Sequence, residues 1–573
     1  MRLRILLAVT VAAALLVPSA ALAHKERHTE SPVRPGKVPD QNRAPTEIID
    51  VCKTGECAYE HIQAAVNAAH EGALIRIWPG VYKEEPSRAV PDLPADSPDG
   101  TYSYAFQLAH PNVQNLIAVI GKKNITLRGM GEISRDVVID AGFRKHVGIR
   151  ADRADGFIIE NVSFWHSNEH GVYIMDQDGF IIDNVYSAYS GEYAFLTFAT
   201  DHGVYRNCVA IGAGDAGIYP GGSADTPGRW STEIDHCIAS HNVNGYSGTQ
   251  GDHVWVHDSE FVANGLGLVS DSETDHPNYP ENGVVWERNK IHDNNFNFYS
   301  PESDVAPVEF DEAGPGLNGA NIPVGVGVFL PSGNENLLQH NQIWGNARYG
   351  VWLASGQGMV VGPTSDPAGD PFMSSGNRFI ANKMYGPSAD AKPNGLDFVW
   401  DGMGQNNCWQ DNTASATGGT VSSNQPMLPP CQTPLGSAPP PVWTPDLVNL
   451  FEQASIAKYN GQPICEYVMY EPCSFGPGPA KGKAKNRPAS DGGVPDNERT
   501  YVPNPTPCGP STCPHGSSSS FSRTFVLHAR TTRTFSATAH SLPATGVGTP
   551  VALAAALIVG AAVTAVVIRK KTL

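Results

Sequence analysis

The sequence predicts an all-β solenoid, a coil of short parallel strands, because one pattern recurs between about residues 156 and 382. Each repeat reads Ile-x-x-anchor-x-apolar-x-x-Ser/Asn and spans about 22 to 23 residues, with insertions at one place. Such self-similarity is typical of solenoids, in which each unit buries its apolar face only against its neighbours. Alternating apolar positions and β-branched residues favour strands over helices. We align the repeats on the anchors Val162, Val185, Cys208, Cys237, Ser259, Asn289, Asn341 and Asn377.

Two further features support this alignment. The position three before the anchor carries a large apolar residue in every repeat except the last, where Ser374 stands. Most repeats also contain a strand that begins with glycine and an apolar residue, as in Gly171-Val172 and Gly350-Val351. The apolar column is Ile159, Ile182, Tyr205, Ile234, Val256, Trp286 and Leu338.

These repeats resemble the right-handed parallel β-helix of the pectin-lyase-like superfamily, over roughly residues 58–412. The opening segment, residues 59–66 followed by 75–82, is similar to the "IQ-AA, then PG-x-Y" start of such proteins. The resemblance implies a right-handed parallel β-helix, which we place at residues 51–412. It does not specify a function, because this fold carries many unrelated activities.

Both ends of the chain indicate export. Arg2, Arg4, a short apolar run and Ala21-Leu22-Ala23 predict a signal peptide over residues 1–23, cut before His24. A polar, Pro-rich stretch predicts a disordered leader over residues 24–50. Ile62, Ala65, Val66 and Ala69 fall on one helical face, which predicts a helix that caps the first turn of the coil.

After Asn412 the repeats end. We expect a C-terminal cap region over residues 413–475 and a flexible stalk rich in Pro, Ser and Thr over 476–541. Residues 542–573 then carry a pentapeptide, an apolar stretch at 551–568 and a basic tail. This order resembles the cell-wall sorting signal of Gram-positive bacteria. The pentapeptide is Leu542, Pro543, Ala544, Thr545 and Gly546.

The sorting signal implies two partners, a sortase-type transpeptidase that cuts after Thr545 and the peptidoglycan that it joins to the chain. A plain membrane anchor through the C-terminal segment is the alternative, and both place the coil outside the cell. The formal net charge of −18 argues against nucleic acid as a partner, because binding a polyanion needs cationic side chains.

Ten cysteines suit an exported protein, since oxidising compartments permit disulfides. Cys208 and Cys237 fall on adjacent anchors, about 4.8 Å apart if the turns stack, which predicts either a disulfide or two buried free thiols. The other cysteines predict local pairs: Cys52 with Cys57, Cys408 with Cys431, Cys465 with Cys473, and Cys508 with Cys513.

Candidate binding residues lie on the glycine-led strands, where alternation points every second side chain outward. A row of outward rings suits stacking against sugar faces, because aromatic rings offer large apolar area. The alternative is that insertions cover these rings as a secondary core. The candidates are Tyr173, Tyr219, Phe329 and Trp352.

Candidate catalytic residues are acids that follow these strands, Asp201, Asp225 and Asp271. Acids on neighbouring turns would lie at separations that suit glycoside hydrolysis or would hold Ca²⁺, and turn-forming aspartate is the alternative. No lysine lies between Lys145 and Lys290, so we rank lyase chemistry below hydrolysis of a neutral glycan. We rank both below carbohydrate binding without catalysis, and we expect no cofactor other than a possible Ca²⁺.

Overall fold

The computed structural model describes residues 36–84, 103–223, 229–272, 276–296, 323–355, 373–431 and 502–513. Three long parallel sheets, which we name A, B and C, follow one another along the coil, and each turn contributes one strand to most of them. The predicted all-β solenoid is therefore confirmed.

Sheet A has twelve strands. They are β1 (Ile48–Val51), β2 (Leu74–Ile77), β5 (Thr126–Gly129), β8 (Phe157–Glu160), β11 (Asp178–Asp183), β14 (Asp201–Arg206), β17 (Thr232–Asp235), β20 (Val254–His257), β23 (Val285–Glu287), β26 (Leu337–Gln339), β29 (Arg378–Ile380) and β31 (Cys408–Gln410). Sheet B has nine strands. They are β3 (Gly80–Tyr82), β6 (Val137–Asp140), β9 (Ser163–Trp165), β12 (Tyr186–Ala188), β15 (Val209–Ile211), β18 (Ile238–Ser240), β21 (Glu260–Val262), β24 (Lys290–His292) and β27 (Gln342–Trp344).

Sheet C has ten strands and contains the glycine-led segments. They are β4 (Asn115–Ile120), β7 (Val147–Asp152), β10 (His170–Met175), β13 (Phe195–Phe198), β16 (Ala216–Gly221), β19 (Asn244–Ser247), β22 (Leu266–Val269), β25 (Val326–Pro331), β28 (Tyr349–Ala354) and β30 (Leu396–Trp400).

The apolar column of the repeats lines the interior of sheet A. Ile159 pairs with Ile182, Ile182 with Tyr205, and the pairing continues in register as far as Leu338. All of these side chains are fully buried in one core. Stacking of residues about one repeat apart in sequence is thus confirmed for seven consecutive strands.

The assignment of Asn377 as the eighth anchor is wrong, because the anchor of that turn lies five residues later. Leu338 pairs with Phe379, so the apolar column continues with Phe379 and the anchor of that turn is Asn382. The backbone N–H of Asn341 donates to Asn382 Oδ1, as expected of neighbouring anchors. Ser374 departed from the pattern because it was assigned to the wrong position, and not because the turn is irregular.

Asparagine ladders run through the later turns. The Asn341 side chain accepts hydrogen bonds from the N–H and the amide of Asn289, and its own amide donates to the carbonyl of Trp286. A second ladder joins Asn242, Asn264, Asn294, Asn346 and Asn394. These buried amides supply partners to backbone groups where the chain turns between strands.

Cys208 and Cys237 stand in the anchor column as free, buried thiols, so of the two alternatives the free thiols are correct and the disulfide is wrong. The N–H of Cys208 lies 3.4 Å from Cys237 Sγ, and the N–H of Cys237 donates to Ser259 Oγ. The sulfur atoms therefore occupy the places that serine and asparagine oxygens take in later turns. Burial raises the pKa of the Cys208 thiol well above its usual value.

Three of the predicted disulfides are present, Cys52–Cys57, Cys408–Cys431 and Cys508–Cys513. Cys465 and Cys473 lie outside the described residues. So do the pentapeptide and the predicted span at 551–568, and no helix within the described ranges has the length and apolar character to cross a membrane.

Three short helices precede or interrupt the first turns, α1 (Ile62–Ala68), α2 (Tyr104–Ala109) and α3 (Pro111–Gln114). Helix α1 buries Ile62, Ala65 and Val66 in the core of the coil. Lys122 Nζ donates to the carbonyls of Val66, Asn67 and Ala69 at the C-terminal end of this helix, which satisfies groups that have no partner within it. The role of α1 as a cap stays a prediction.

The structure differs from the expected disordered leader between residues 36 and 50. Gln41 Nε2 donates to Glu160 Oε2 and Asp183 Oδ2 on the outer face of sheet A. Val38 packs there on an outward apolar cluster of Ile158, Ile181 and Val204. Residues 36–43 therefore cover the outer face of sheet A at β8, β11 and β14.

We predict that Asn341→Ala lowers the free energy of unfolding by roughly 2 to 5 kcal/mol, since at least two buried polar groups lose a partner at about 1 to 3 kcal/mol each. Urea unfolding followed by far-UV circular dichroism measures the change. Asn42→Ala is the control, because Asn42 is exposed and should change stability little. An Asn341→Ala loss no larger than that of the control would contradict a stabilising role of the ladder.

Candidate functional site

The four predicted ring residues point away from the core, as expected, but they are not exposed. Tyr173, Tyr219, Phe329 and Trp352 are all at most 2% exposed. Phe329 stacks on Trp352 at 4.3 Å between ring centroids, and Tyr219 stacks on Tyr193 at 4.5 Å. The expectation of exposed rings is therefore wrong, and the alternative of a secondary core over sheet C is correct. Sugar stacking by these residues stays a prediction that the buried geometry does not favour.

Sequence reasoning missed Arg150 on the same face. Arg150 lies in register with Tyr173 on the next strand, with its guanidinium carbon 4.7 Å from the Tyr173 ring centroid. Its Nη2 donates to Asp152 Oδ2 at 2.9 Å, and both side chains are buried. The sequence contained a signal for this contact, because Arg150 precedes Tyr173 by 23 residues, which is one repeat. A cation therefore does occur on the outward side of sheet C, although solvent does not reach it.

Of the three predicted catalytic acids the structure describes two, and it does not bring these two together. Asp225 lies outside the described residues. Asp201 begins β14, directly after β13, whereas Asp271 follows β22 and accepts a hydrogen bond from Thr249. In sheet C, β22 is the third strand along from β13. At 4.8 Å per strand, the backbones of Asp201 and Asp271 are therefore separated by about 14 Å. Asp201 and Asp271 are therefore not neighbouring carboxylates.

Asp201 instead groups with the strand neighbour Asp178 and with His202, at the corner between sheets C and A. Asp178 and Asp201 pair in register, and His202 Nδ1 lies 3.1 Å from an oxygen of each. Asp201 and His202 are buried. An imidazole between two carboxylates is a combination that proton transfer can use.

The outer face of sheet A carries a different group, which we call the tryptophan patch: Trp230, Glu233, Asp235, Trp255, His257, Asp258 and Arg288. Trp230 and Trp255 are half-buried, with ring centroids 5.7 Å apart. His257 stacks on Trp255 at 3.8 Å. Alternation along β20 points Trp255 and His257 outward together, on either side of the buried Val256.

The charges of the tryptophan patch are paired with each other. His257 Nδ1 lies 2.9 Å from Asp258 Oδ2, and its Nε2 lies 3.4 Å from Glu233 Oε1. Burial alone would lower the pKa of His257, but these carboxylates outweigh it and raise the pKa to about 9. Arg288 donates to Asp258, and together with His257 it holds the pKa of that carboxyl well below its usual range. The imidazole is therefore charged at neutral pH, and the patch has little unbalanced charge.

Among the described residues, two groups of side chains offer metal ligands within 4.8 Å of one another, Asp178 with Asp201 and His202, and Asp235 with His257 and Asp258. Ca²⁺ prefers about six to eight oxygen ligands. Each group supplies an imidazole nitrogen in place of an oxygen, and the raised pKa of His257 also favours a proton over a metal in the second group. Neither group matches the predicted Ca²⁺, whose binding stays a prediction.

Glu281 is a buried acid outside these groups. Glu281 is fully buried and accepts hydrogen bonds from the N–H of Asn334 and the amide of Asn336. Its other oxygen lies 2.8 Å from Ser270 Oγ, which in turn lies 3.3 Å from the carbonyl of Gly248. Burial raises the pKa of Glu281 to about 8. A protonated Glu281 can donate to Ser270, so a neutral carboxyl fits this network.

We predict that stability falls as the pH rises from 4.5 to 8, because the unfolded chain then releases a proton that folded Glu281 keeps. Below this window both states are protonated and the effect vanishes. Glu281→Gln keeps the neutral network. Its free energy of unfolding should therefore equal that of the wild type at pH 4 and exceed it at pH 8 by on the order of a few kcal/mol. Thermal unfolding at the two pH values measures this. The exposed Glu335→Gln is the control, and a Glu281→Gln profile parallel to the wild type would contradict a raised pKa.

Comparisons with known proteins concern the coil. A comparison with curated proteins gives no match. The chain is similar in structure to the mannuronan C-5 epimerase AlgE4 A-module from Azotobacter vinelandii, at 15% identity and a TM-score of 0.35, over 63% of this chain and 94% of that chain. The chain is also similar to an alginate lyase from Paenibacillus sp. str. FPU-7, at 13% identity and a TM-score of 0.35, over 63% of this chain and 99% of that chain. A third similar structure is the pectate lyase Pel9A, at 13% identity and a TM-score of 0.31, over 67% of this chain and 80% of that chain.

Likeness at these identities concerns the fold alone. Residues 123–279, which include β5 to β22 and the tryptophan patch as far as Asp258, match the family model described as "Right handed beta helix region".

Proposed function

We propose that this chain is an exported, surface-anchored β-helix protein that binds carbohydrate through the tryptophan patch of sheet A. The observation that carries the proposal is the pair of half-buried indoles, Trp230 and Trp255, side by side on an outer face of the coil. Indole rings contact sugar C–H groups through a large apolar surface and lose little conformational freedom on binding. The rings predicted from the sequence lie on sheet C and are buried. We therefore place the proposed binding site on sheet A and not on sheet C.

The surroundings of the patch support a neutral, extended ligand. Trp255 pairs in register with Val285, and Val285 with Leu337, and all three side chains are half-buried. A ligand along the coil axis would therefore meet an apolar strip beside polar groups that can hydrogen-bond hydroxyls. Because the three carboxylates of the patch are paired with His257 and Arg288, at most about one negative charge is left unbalanced, which is little to attract a cationic polymer and gives no attraction for a uronate.

Surface display rests on the ends of the sequence. The segment 1–23 has the order of a secretory signal, and residues 542–573 have the order of a sorting signal. We propose that a sortase-type transpeptidase joins the chain to peptidoglycan at Thr545, after the apolar segment 551–568 has held the chain in the membrane. The coil then lies in the cell wall or at the extracellular face.

A second candidate function is a polysaccharide-processing enzyme. The observation that favours it is His202 Nδ1, held 3.1 Å from both Asp178 and Asp201 at one corner of the coil. We rank it second because Asp201 and His202 are buried, whereas the tryptophan patch is partly open. Oligosaccharide products in a glycan-binding screen would favour this candidate over simple binding.

We predict that Trp255→Ala weakens binding to glycans identified on a neutral-glycan array by at least about ten-fold, which corresponds to ~1.4 kcal/mol. The variant removes one of the two adjacent indoles, and isothermal titration calorimetry measures the affinity. Ile238→Ala is the control, because Ile238 is an exposed apolar residue on sheet B. Equal affinity of Trp255→Ala and wild type, or an array without hits, would count against the patch.

We predict that the wild-type chain fractionates with the cell wall and is released by muralytic enzyme, whereas Thr545→Ala shifts it to the membrane fraction or the medium. The reason is that the transpeptidase joins the carbonyl of this threonine to the wall. Immunoblots of wall, membrane and medium measure the distribution, with Ser541→Ala as the neighbouring control. Wild type found only in the membrane fraction would establish the plain anchor instead.

A further inference from the structure

Two disulfide-closed loops from opposite ends of the sequence contact each other. Cys52–Cys57 and Cys508–Cys513 each close a loop with a sequence separation of five. Glu56 in the first loop accepts hydrogen bonds from the N–H of Ser511 at 3.0 Å and from Thr512 Oγ1 at 2.8 Å. The Ser511 hydroxyl donates to the same carboxylate. These bonds join residues that are about 455 positions apart in the chain.

Further contacts extend this interface along the coil. A Cβ atom placed on Gly509 would lie 2.7 Å from Thr54 Oγ1, so the two backbones approach closely. Val502 packs against the outward cluster of sheet B that includes Trp165 and Tyr186. The segment 502–513 therefore follows the N-terminal turns of the coil, from β9 and β12 back to the loop after β1.

The chain reaches this place from the opposite end of the coil. Cys431 is bonded to Cys408 on β31, the last strand of sheet A, whereas the Cys52–Cys57 loop follows β1, the first strand. Eleven strand spacings separate β1 from β31, which amounts to about 53 Å at 4.8 Å each. The 70 residues between Cys431 and Val502 (501 − 431) therefore connect the C-terminal end of the coil to its N-terminal end.

We propose that the two loops form a clasp, which ties the chain that follows the coil back to the N-terminal end of the coil. The clasp itself does not depend on attachment or on carbohydrate binding.

The chemistry of the clasp explains why both loops are closed by disulfides. Each hydrogen bond to Glu56 is exposed and contributes little by itself, since water competes for both partners. A disulfide fixes each short loop before contact, which lowers the entropy lost when the loops meet. The donors of Ser511 and Thr512 also hold the pKa of Glu56 below its usual value, so the carboxylate accepts these bonds over the neutral pH range.

The clasp is tested with an engineered cross-link in the full exported chain. Thr54→Cys with Gly509→Cys places two thiols at positions in close approach, and a protease site introduced within residues 432–501 then divides the chain. We expect the two fragments to migrate together without reductant in at least ten-fold greater yield than for Thr417→Cys with Gly509→Cys. The control places the first thiol on an exposed residue near the C-terminal end of the coil.

Peptide mapping by mass spectrometry identifies the 54–509 bond among the native disulfides. Equal yields for the two pairs would overturn the clasp. A chain absent from the wall fraction would contradict the proposed attachment while leaving the cross-link result intact.

Discussion

The constraint on which this structure depends is that every turn must satisfy its backbone hydrogen bonds and bury its apolar face against the turns before and after it. Strand-to-strand bonds do this in the three sheets. Between the strands the chain bends, and buried asparagine amides such as those of Asn264 and Asn341 supply the partners. A shift of one residue in any turn would break both sets at once, because side chains alternate between faces with a period of two. The strict register follows from this.

The same constraint explains what could be predicted from the sequence. Residues on the inside of the coil meet only their counterparts on adjacent turns, so periodicity alone places Ile159 against Ile182. The outer faces are different, because their neighbours come from insertions, from the leader and from distant segments. Phe329 and Trp352 were correctly expected to point outward, and they meet as in-register neighbours on adjacent strands, yet the repeat pattern did not show that both rings are buried. Insertions also explain the error in the repeat alignment. Because their lengths vary, Asn377 was assigned as an anchor in place of Asn382.

The candidate site was harder to predict for a related reason. The resemblance to a known superfamily directed attention to sheet C, whereas the partly open indoles lie on sheet A, where residues 36–43 stop covering the outer face after β14. Trp230 and Trp255 carry no motif, and they were recognisable only once the register showed which of their neighbours are paired charges. The contact of Glu56 with Ser511 is beyond local reasoning altogether, because nothing in either loop specifies its partner.

The distribution of charge connects these observations to function. The chain has a net charge of −18, yet at the tryptophan patch Glu233, Asp235 and Asp258 are held by His257 and Arg288. Pairing of this kind is worth little for stability at a partly exposed position. Its larger effect is to cancel the field that a cluster of carboxylates would otherwise create in front of the indoles. An acidic surface thus contains a partly apolar area in which most of the charge is balanced, and this is why we propose a neutral polymer with many hydroxyl groups as its ligand.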